Sequence, residues 1–257
     1  MKRTQIIKLV SGVLLLAVGI AVTLLTRSAG IVKNAPLSDT LPFAAGLILT
    51  VLGIVLSITA LLPKRKPTET KTLVLAAMFA ALCYVGFAVF KIDIPVGSEK
   101  TAFHLGNVFC VLAALMIGPF WGGMSGAVGL TLADLMTGYV TSAPKTFVLK
   151  LGIGLITGLV AHTLFRISRE RSRKVPVPIA TVLSCIAGMG FNVVADPVAG
   201  YFYKTYIMGV PQDVATVWAK MGAMTTFVNA VIAVIAASVL YLALRPALKK
   251  TRLLPKL

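Results

Sequence analysis

HLGNVFCVLAALMIGPFWGGMSGAVGLTLADLMTGY, residues 104–139, is the stretch that decides the fold. It contains two apolar runs, 105–118 and 120–139, and its only acidic residue is Asp134. A helix crosses a bilayer with about 20 predominantly apolar residues. The second run is long enough for a full span, and the first is short for one. The stretch therefore predicts a short membrane helix followed by a full one.

The rest of the chain has the same apolar character. Of its 257 residues, 58% are hydrophobic and only 13% are charged, whereas soluble domains are about a quarter charged. This composition excludes soluble globular, disordered and fibrous proteins, and it predicts an all-α polytopic membrane protein. The eight predicted membrane segments are residues 6–26, 41–62, 73–90, 105–118, 120–139, 146–165, 179–203 and 215–244.

The linker PKRKPTETK, residues 63–71, marks the clearest internal boundary, because it combines two prolines with a run of charges. It predicts two domains: a two-helix transmembrane extension, 1–66, and a six-helix substrate-binding core, 67–257. We expect the first segment to be retained and not cleaved as a signal peptide, since Lys8 interrupts its start and its apolar run is long.

The basic residues predict the orientation in the membrane. The formal net charge is +17, with 25 Lys and Arg against 8 Asp and Glu. Three basic residues lie at the N-terminus, including Lys8 at the start of the first segment; four lie in the linker, five follow the sixth segment and five lie in the C-terminal tail. Cytoplasmic loops are enriched in Lys and Arg, so both termini are predicted to be cytoplasmic, in the cell membrane. No basic stretch is interleaved with aromatics, which argues against a nucleic-acid partner.

No feature of the sequence predicts catalysis or a metal site. Cys83, Cys110 and Cys185 all lie in apolar runs without close pairing, which argues against a disulfide framework or a zinc site. GMSG at 123–126 fits the GxSG of a rhomboid-type protease, but helical depth separates Ser125 from His104. The chain contains no GxxxxGK[ST] phosphate loop, so an ATPase would be a separate subunit.

Polar residues within the spans predict a ligand site, because such groups are costly in a membrane and usually functional. Counting 1.5 Å of rise per residue places those of the last four segments mainly in the outer half. The polar loop 91–107, a candidate lid, leads into the short helix. The predicted binding residues are His104, Asn107, Asp134, Lys150, Asn192, Asp196, Tyr203, Trp218, Thr225 and Asn229.

The sequence leaves one alternative open for two of these residues, and it places one further polar residue outside the pocket. Asp134 and Lys150 could simply pair with each other inside the bundle. His162 lies near the inner end of its segment, which predicts an interfacial position and not a ligand contact.

Small residues recur at four-residue spacing on the third segment, where LVLAAMFAAL places Ala76 with Ala80 and Ala77 with Ala81. This spacing puts small side chains on one helix face and allows another helix to approach closely. Either a partner subunit or a helix of the same chain could fill that face. Gly122 with Gly126 repeats the spacing, and there we expect packing within the chain.

From residue 71 onward the chain resembles the substrate-binding S component of an energy-coupling factor (ECF) vitamin transporter, of the riboflavin-type branch. The resemblance rests on LVLAAMFAAL, on residues 104–139 and on APKTFVLKLGIGLITGL, and it covers roughly 71–245. It implies a six-helix carrier, so the N-terminal extension is a departure. It also implies that Ala76, Ala77, Ala80 and Ala81 face a partner.

The implied partners are a transmembrane T component and two ATPase subunits, which use the ATP, so that the chain itself needs no cofactor. The implied ligand is a vitamin or precursor taken up from outside; riboflavin, pyridoxine, thiamine precursors and queuine remain open. The alternative is a self-contained, ion-coupled secondary transporter in which Asp134 and Asp196 titrate. A third class is a scaffold membrane protein that binds no small molecule.

Overall fold

The structure is a computed structural model that describes residues 11–15, 17–19, 21–22, 69–97, 99–168 and 175–250. The chain divides into two units, Met1–Thr68 and Glu69–Leu257. In the first unit the described residues are helical and fall within the first predicted segment. The second predicted segment, 41–62, lies outside the described residues, so the two-helix extension stays a prediction.

The described part of the second unit contains six α-helices and one β-hairpin. In chain order they are α1 (Thr70–Ala88), β1 (Lys91–Val96), β2 (Glu99–His104), α2 (Gly106–Ile117), α3 (Pro119–Met136), α4 (Ala143–Leu159), α5 (Val177–Phe202) and α6 (Gln212–Lys250). Single π-helical turns, Val160–Leu164 and Tyr203–Ile207, extend α4 and α5.

The helices confirm the prediction of an all-α polytopic membrane protein. Among the described residues, four helical stretches are long and apolar enough to cross a membrane: Thr70–Ala88, Val140–Leu164, Val177–Ile207 and Gln212–Lys250. The short helix α2 lies inside the bundle, where every residue except Phe109 is buried. It therefore forms the centre of the packing, and the longer helices surround it.

The predicted loop 91–107 is instead mostly a β-hairpin. Its strands pair antiparallel from Lys91 with His104 to Val96 with Glu99, and Gly97 at the turn has a φ of +63°. The residues Ile92, Ile94 and Val96 alternate with Asp93 and Pro95. Alternating β-branched residues are a strand signal, so the sequence contained the evidence against a plain loop.

Glycines on α3 and α4 let the helices touch backbone to backbone. A Cβ placed on Gly122 would collide with the backbone of Ala114, and one on Gly126 would collide with Cys110 Sγ. Across the next interface, a Cβ on Gly154 would collide with the backbone of Gly123. Small residues permit this close approach in membranes. The expected packing of Gly122 and Gly126 within the chain is thus observed.

This contact gives the first prediction. We expect Gly154→Ala to destabilise the detergent-solubilised protein by about 1–3 kcal/mol, because overpacking forces backbone shifts. The matched control is Gly190→Ala on α5, where an added Cβ meets nothing within 4 Å. Thermal unfolding of both variants measures the difference. Equal stability would contradict the tight α3–α4 contact.

Candidate substrate-binding site

A cavity opens between the β-hairpin and the ends of helices α3 to α6. Its volume, counted out to the solvent at its mouth, is about 970 Å³. Nine of the predicted binding residues line it: His104, Asn107, Asp134, Lys150, Asn192, Asp196, Trp218, Thr225 and Asn229. Tyr203 is not among the lining residues and begins the π-turn after α5.

Helix periodicity explains how the side chains of α6 form one wall of the cavity. On α6 the lining residues Trp218, Gly222, Thr225 and Asn229 follow i, i+4, i+7 and i+11, which places them on one face. At 1.5 Å per residue, this row extends about 16 Å along the helix. The cavity is therefore deep, with Trp218 towards one end and Asn229 towards the other.

A partly buried ion pair joins α4 to α5 in the cavity wall. Lys145 Nζ lies 2.7 Å from Asp196 Oδ1, and the Thr226 hydroxyl donates a hydrogen bond of 2.6 Å to Asp196 Oδ2. Both carboxylate oxygens of Asp196 thus have partners within the protein. Asp196 has little capacity left for a cationic ligand.

A second set of contacts lies where the hairpin meets α5 and α6. Lys204 Nζ is 3.6 Å from Glu99 Oε2, and it lies 4.3 Å from the centre of the Trp218 ring. A cation over an indole face is attracted by the ring quadrupole. Lys204 therefore links strand β2, the end of α5 and the start of α6.

Several buried acceptors in the cavity have no hydrogen-bond partner among the described residues. They are Asn107 Oδ1, Asp134 Oδ2 and Asn192 Oδ1. Each of these residues is at most 4% exposed, and buried polar groups normally have a partner. Orphaned acceptors around a cavity are what a site looks like when its ligand supplies the missing donors.

Lys150 lines the same cavity, and its ammonium makes no direct contact with a carboxylate of the described residues. The residue is 9% exposed. Its backbone carbonyl accepts a hydrogen bond from Cys110 Sγ, but its ammonium forms no hydrogen bond or ion pair with a described residue. No ion pair between Asp134 and Lys150 occurs among those of the described residues. The alternative that Asp134 and Lys150 satisfy each other is thus not what the structure contains.

Asn229 lines the cavity and also supports the hairpin. Its amide nitrogen donates to the Ala102 carbonyl at 3.0 Å, and its carbonyl oxygen accepts from the His104 backbone N–H at 3.0 Å. Both ends of the amide are used in holding β2 against α6. Asn229 thus helps to position the hairpin, and its contact with a ligand stays a prediction.

His104 remains neutral at the base of the hairpin. Burial lowers its pKa to about 3, and the nearby Lys150 charge lowers it as well. Its Nδ1 accepts the Gly106 backbone N–H at 3.2 Å, which places the ring proton on Nε2. His104 is thus an N–H donor in the cavity wall.

The far edge of the hairpin is attached through Asp93 and Tyr139. The Tyr139 hydroxyl donates to Asp93 Oδ1 at 2.7 Å, and Lys91 and Lys100 flank the same carboxylate. Burial opposes the charge, but the bonds from Tyr139 and Lys91 outweigh it and lower the pKa of Asp93. Burial, and then the bond to Asp93, raise the pKa of Tyr139. The hairpin is therefore fixed on both sides of the cavity.

His162 lies apart from this site, as predicted. It sits in the π-turn after α4 and is not a lining residue. Its Nε2–H donates to the Ala114 carbonyl at 3.0 Å, and Nδ1 lies 2.6 Å from the Ser168 hydroxyl. These contacts tie the end of α4 to α2.

The four alanines of α1 fall on two faces. Ala76 is buried and its carbonyl accepts a 2.9 Å hydrogen bond from Ser125 of α3, and Ala80 lies against Gly129. Ala77 and Ala81 are exposed. A partner helix could therefore reach Ala77 and Ala81, whereas Ala76 already packs within the chain.

Sequence reasoning missed several residues of the cavity. They include Phe87, Glu99, Lys100, Tyr139, Lys145, Thr146, Lys204, Gly222 and Thr226. Lys145 and Thr226 could have been found from the sequence. Lys145 lies close to Lys150, and Thr226 directly follows Thr225, at helical depths already assigned to the pocket. Lys204 directly follows Tyr203 in the sequence. The prediction therefore chose the Tyr203 side chain where the neighbouring Lys204 lines the cavity.

Comparison with known proteins gives one family. Residues 67–246 match the family model described as "ECF-type riboflavin transporter, S component". A curated protein of Pyrococcus woesei, "Uncharacterized protein in gap 3'region", is 36% identical over 67 residues, which are 26% of this chain and 45% of that protein. The chain thus spans less than half the length of this relative. No solved structure matches the chain.

Proposed function

The chain belongs to the S component family of ECF-type riboflavin transporters, and we propose that it captures a vitamin or cofactor precursor outside the cell and delivers it to an ATP-driven importer. The partners in this proposal are a transmembrane T component and two ATPase subunits. The chain itself would bind and release the ligand without chemical change. Riboflavin is the first ligand to test, because the family description names it.

The cavity with its unpartnered buried acceptors carries this proposal. Asn107, Asp134 and Asn192 each have an acceptor atom without a partner. Leaving such a group unsatisfied costs about 1–3 kcal/mol, and a bound ligand would recover that energy. A scaffold protein would have no need of a cavity lined in this way.

The direction of capture follows from charge and from the hairpin. The cavity opens beside the β-hairpin and the start of α4, whereas the basic segment follows the other end of α4 in the sequence. Since basic segments favour the cytoplasm, we place the hairpin and the cavity mouth outside, with both termini inside. In this orientation the hairpin covers the ligand.

A self-contained proton-coupled transporter fits the cavity less well. Such a carrier would need a carboxyl that gains and loses a proton during the cycle. Asp196 is held by Lys145 and Thr226, so its carboxylate is strongly stabilised. Asp134 would remain as the one candidate of the two predicted acids.

The test is reconstitution of uptake in proteoliposomes. We expect riboflavin, or another vitamin identified by mass spectrometry in the purified protein, to accumulate only when the T component, both ATPases and ATP are present. The matched control is the same liposome with a proton or sodium gradient and without partners. Gradient-driven uptake by the isolated chain would replace the proposal with secondary transport.

A further inference from the structure

The charged residues that line the cavity include one more lysine than acids. The lysines are Lys100, Lys145, Lys150 and Lys204, and the acids are Glu99, Asp134 and Asp196. Lys91 and Asp93 flank this set as one further lysine and one further acid, so they leave the difference unchanged. With these groups ionised, the cavity wall carries one positive charge in excess.

Three of the four lining lysines already have acceptors within the protein. Lys145 and Lys204 each pair with one carboxylate. Lys100 Nζ donates to the Thr137 carbonyl at 3.2 Å and lies 3.6 Å from Asp93 Oδ2. These three ammonium groups therefore make contacts that do not depend on a ligand.

Lys150 differs from the other three. It is 9% exposed, and its ammonium has no hydrogen-bond or ion-pair partner among the described residues, because Asp134 and Asp196 act on it without contact. It follows Lys145 by five residues, which places it about 8 Å farther along α4. Buried charges in proteins are normally paired, so a buried ammonium that lines a cavity points to an acceptor supplied by the ligand.

We propose that the cavity takes an anionic ligand, and that the Lys150 ammonium binds its carboxylate or phosphate oxygens. This inference rests on the proposed function and names the charge of its ligand. An anion would offset the excess positive charge of the wall, a neutral ligand would leave it, and a cation would add to it.

The unpartnered acceptors of the cavity define the rest of the ligand. Asn107 Oδ1, Asp134 Oδ2 and Asn192 Oδ1 need donors, which a carboxylate or phosphate group does not supply. The ligand therefore carries hydroxyl or N–H groups besides its anionic group. Hydrogen bonds to an ionised group are roughly twice as strong as neutral ones, so the anionic group should contribute most to the affinity.

The experiment compares pairs of probes that differ in the anionic group. The pairs are nicotinate with nicotinamide, pantothenate with pantothenol, and riboflavin 5′-phosphate with riboflavin, so carboxylate and phosphate are tested separately. Binding to the purified full chain is measured by titration at physiological salt and again at about 0.5 M, because salt screens exposed charges far more than buried pairs.

Three variants locate the anionic group. Lys150→Met removes the proposed contact, and Lys100→Met removes the lysine that already bonds Thr137. The matched control is Lys220→Met, which removes an exposed lysine of α6 that does not line the cavity. Thermal unfolding checks that each variant is folded, and the comparison within each pair on wild type needs no variant.

We expect wild type to bind the anionic member of a pair at least about tenfold more tightly than its neutral partner at both salt concentrations, which corresponds to about 1.4 kcal/mol or more. Lys150→Met should reduce this preference to within about threefold. Lys220→Met should leave it unchanged, and Lys100→Met should lower it less than Lys150→Met does.

Other outcomes overturn the inference in distinguishable ways. Equal or tighter binding of the neutral member by wild type would overturn the anionic ligand and leave the proposed function intact. A preference that survives Lys150→Met and disappears in Lys100→Met would overturn the assignment to Lys150.

If none of the probes binds, the molecule that co-purifies with the chain decides by its charge, as identified by mass spectrometry. An anion would support the inference, whereas a neutral or cationic molecule would overturn it without touching the proposed function. If no probe binds and no small molecule co-purifies, both the inference and the proposed function fall.

Discussion

Replacing Gly222 with phenylalanine is expected to weaken ligand binding about a hundredfold or more while leaving the protein folded. Gly222 lies in the α6 wall between Trp218 and Thr225, and a Cβ at this position meets nothing within 4 Å. The added ring would therefore occupy the cavity and not strain the helix packing. Losing about 2.8 kcal/mol of ligand contact corresponds to this factor.

The matched control is Gly190→Phe on α5. Gly190 also has open space around an added Cβ, but it is exposed and does not line the cavity. Both variants are titrated with the vitamin identified by mass spectrometry, and both are checked by thermal unfolding. If Gly222→Phe binds as tightly as Gly190→Phe, the ligand occupies a different place and the cavity is not the site.

The membrane helices of the core were predictable because a spanning helix needs only a long apolar run. The predicted segment 179–203 corresponds to α5, Val177–Phe202, with small shifts at each end. The hairpin was not predicted because its strands are polar on alternate residues. A search restricted to apolar runs passes over such segments.

The location of polar residues could be predicted, whereas their partners could not. Helical depth brings Asp134, Lys150 and Asp196 to a similar level, and all three line the cavity. Which acid takes which lysine depends on side-chain directions between neighbouring helices, and Asp196 pairs with Lys145. The depth of a residue along its helix also does not show whether its side chain contacts a ligand or, as Asn229 does, holds the hairpin in place.

The small-residue spacing on α1 shows another limit of sequence reasoning. Ala76 and Ala77 are neighbours in a helix that is apolar all round, so no polar face reveals which side points inward. Only packing distinguishes the two faces, because Ala76 accepts a hydrogen bond from Ser125 and Ala80 lies against Gly129 of α3. Of the four alanines expected to face a partner, this leaves Ala77 and Ala81 exposed.

That distinction leads to the second large effect. We expect the double variant Ala77→Leu with Ala81→Leu to lower ATP-dependent uptake about tenfold or more in liposomes that contain the partner subunits. Two leucines would prevent close approach of a partner helix to α1. Ligand affinity and thermal stability of the isolated chain should stay near wild type, because neither alanine is buried or lines the cavity.

Ala76→Leu provides the comparison within the same helix. Ala76 is buried against α3, so we expect overpacking to destabilise the isolated chain by about 1–3 kcal/mol. Gly190→Leu controls for bulk on an exposed helix face elsewhere. Uptake and co-purification of the partner subunits are measured for all three variants. Normal uptake by the Ala77 and Ala81 double variant would show that the partner contacts another surface, and α1 would then face lipid.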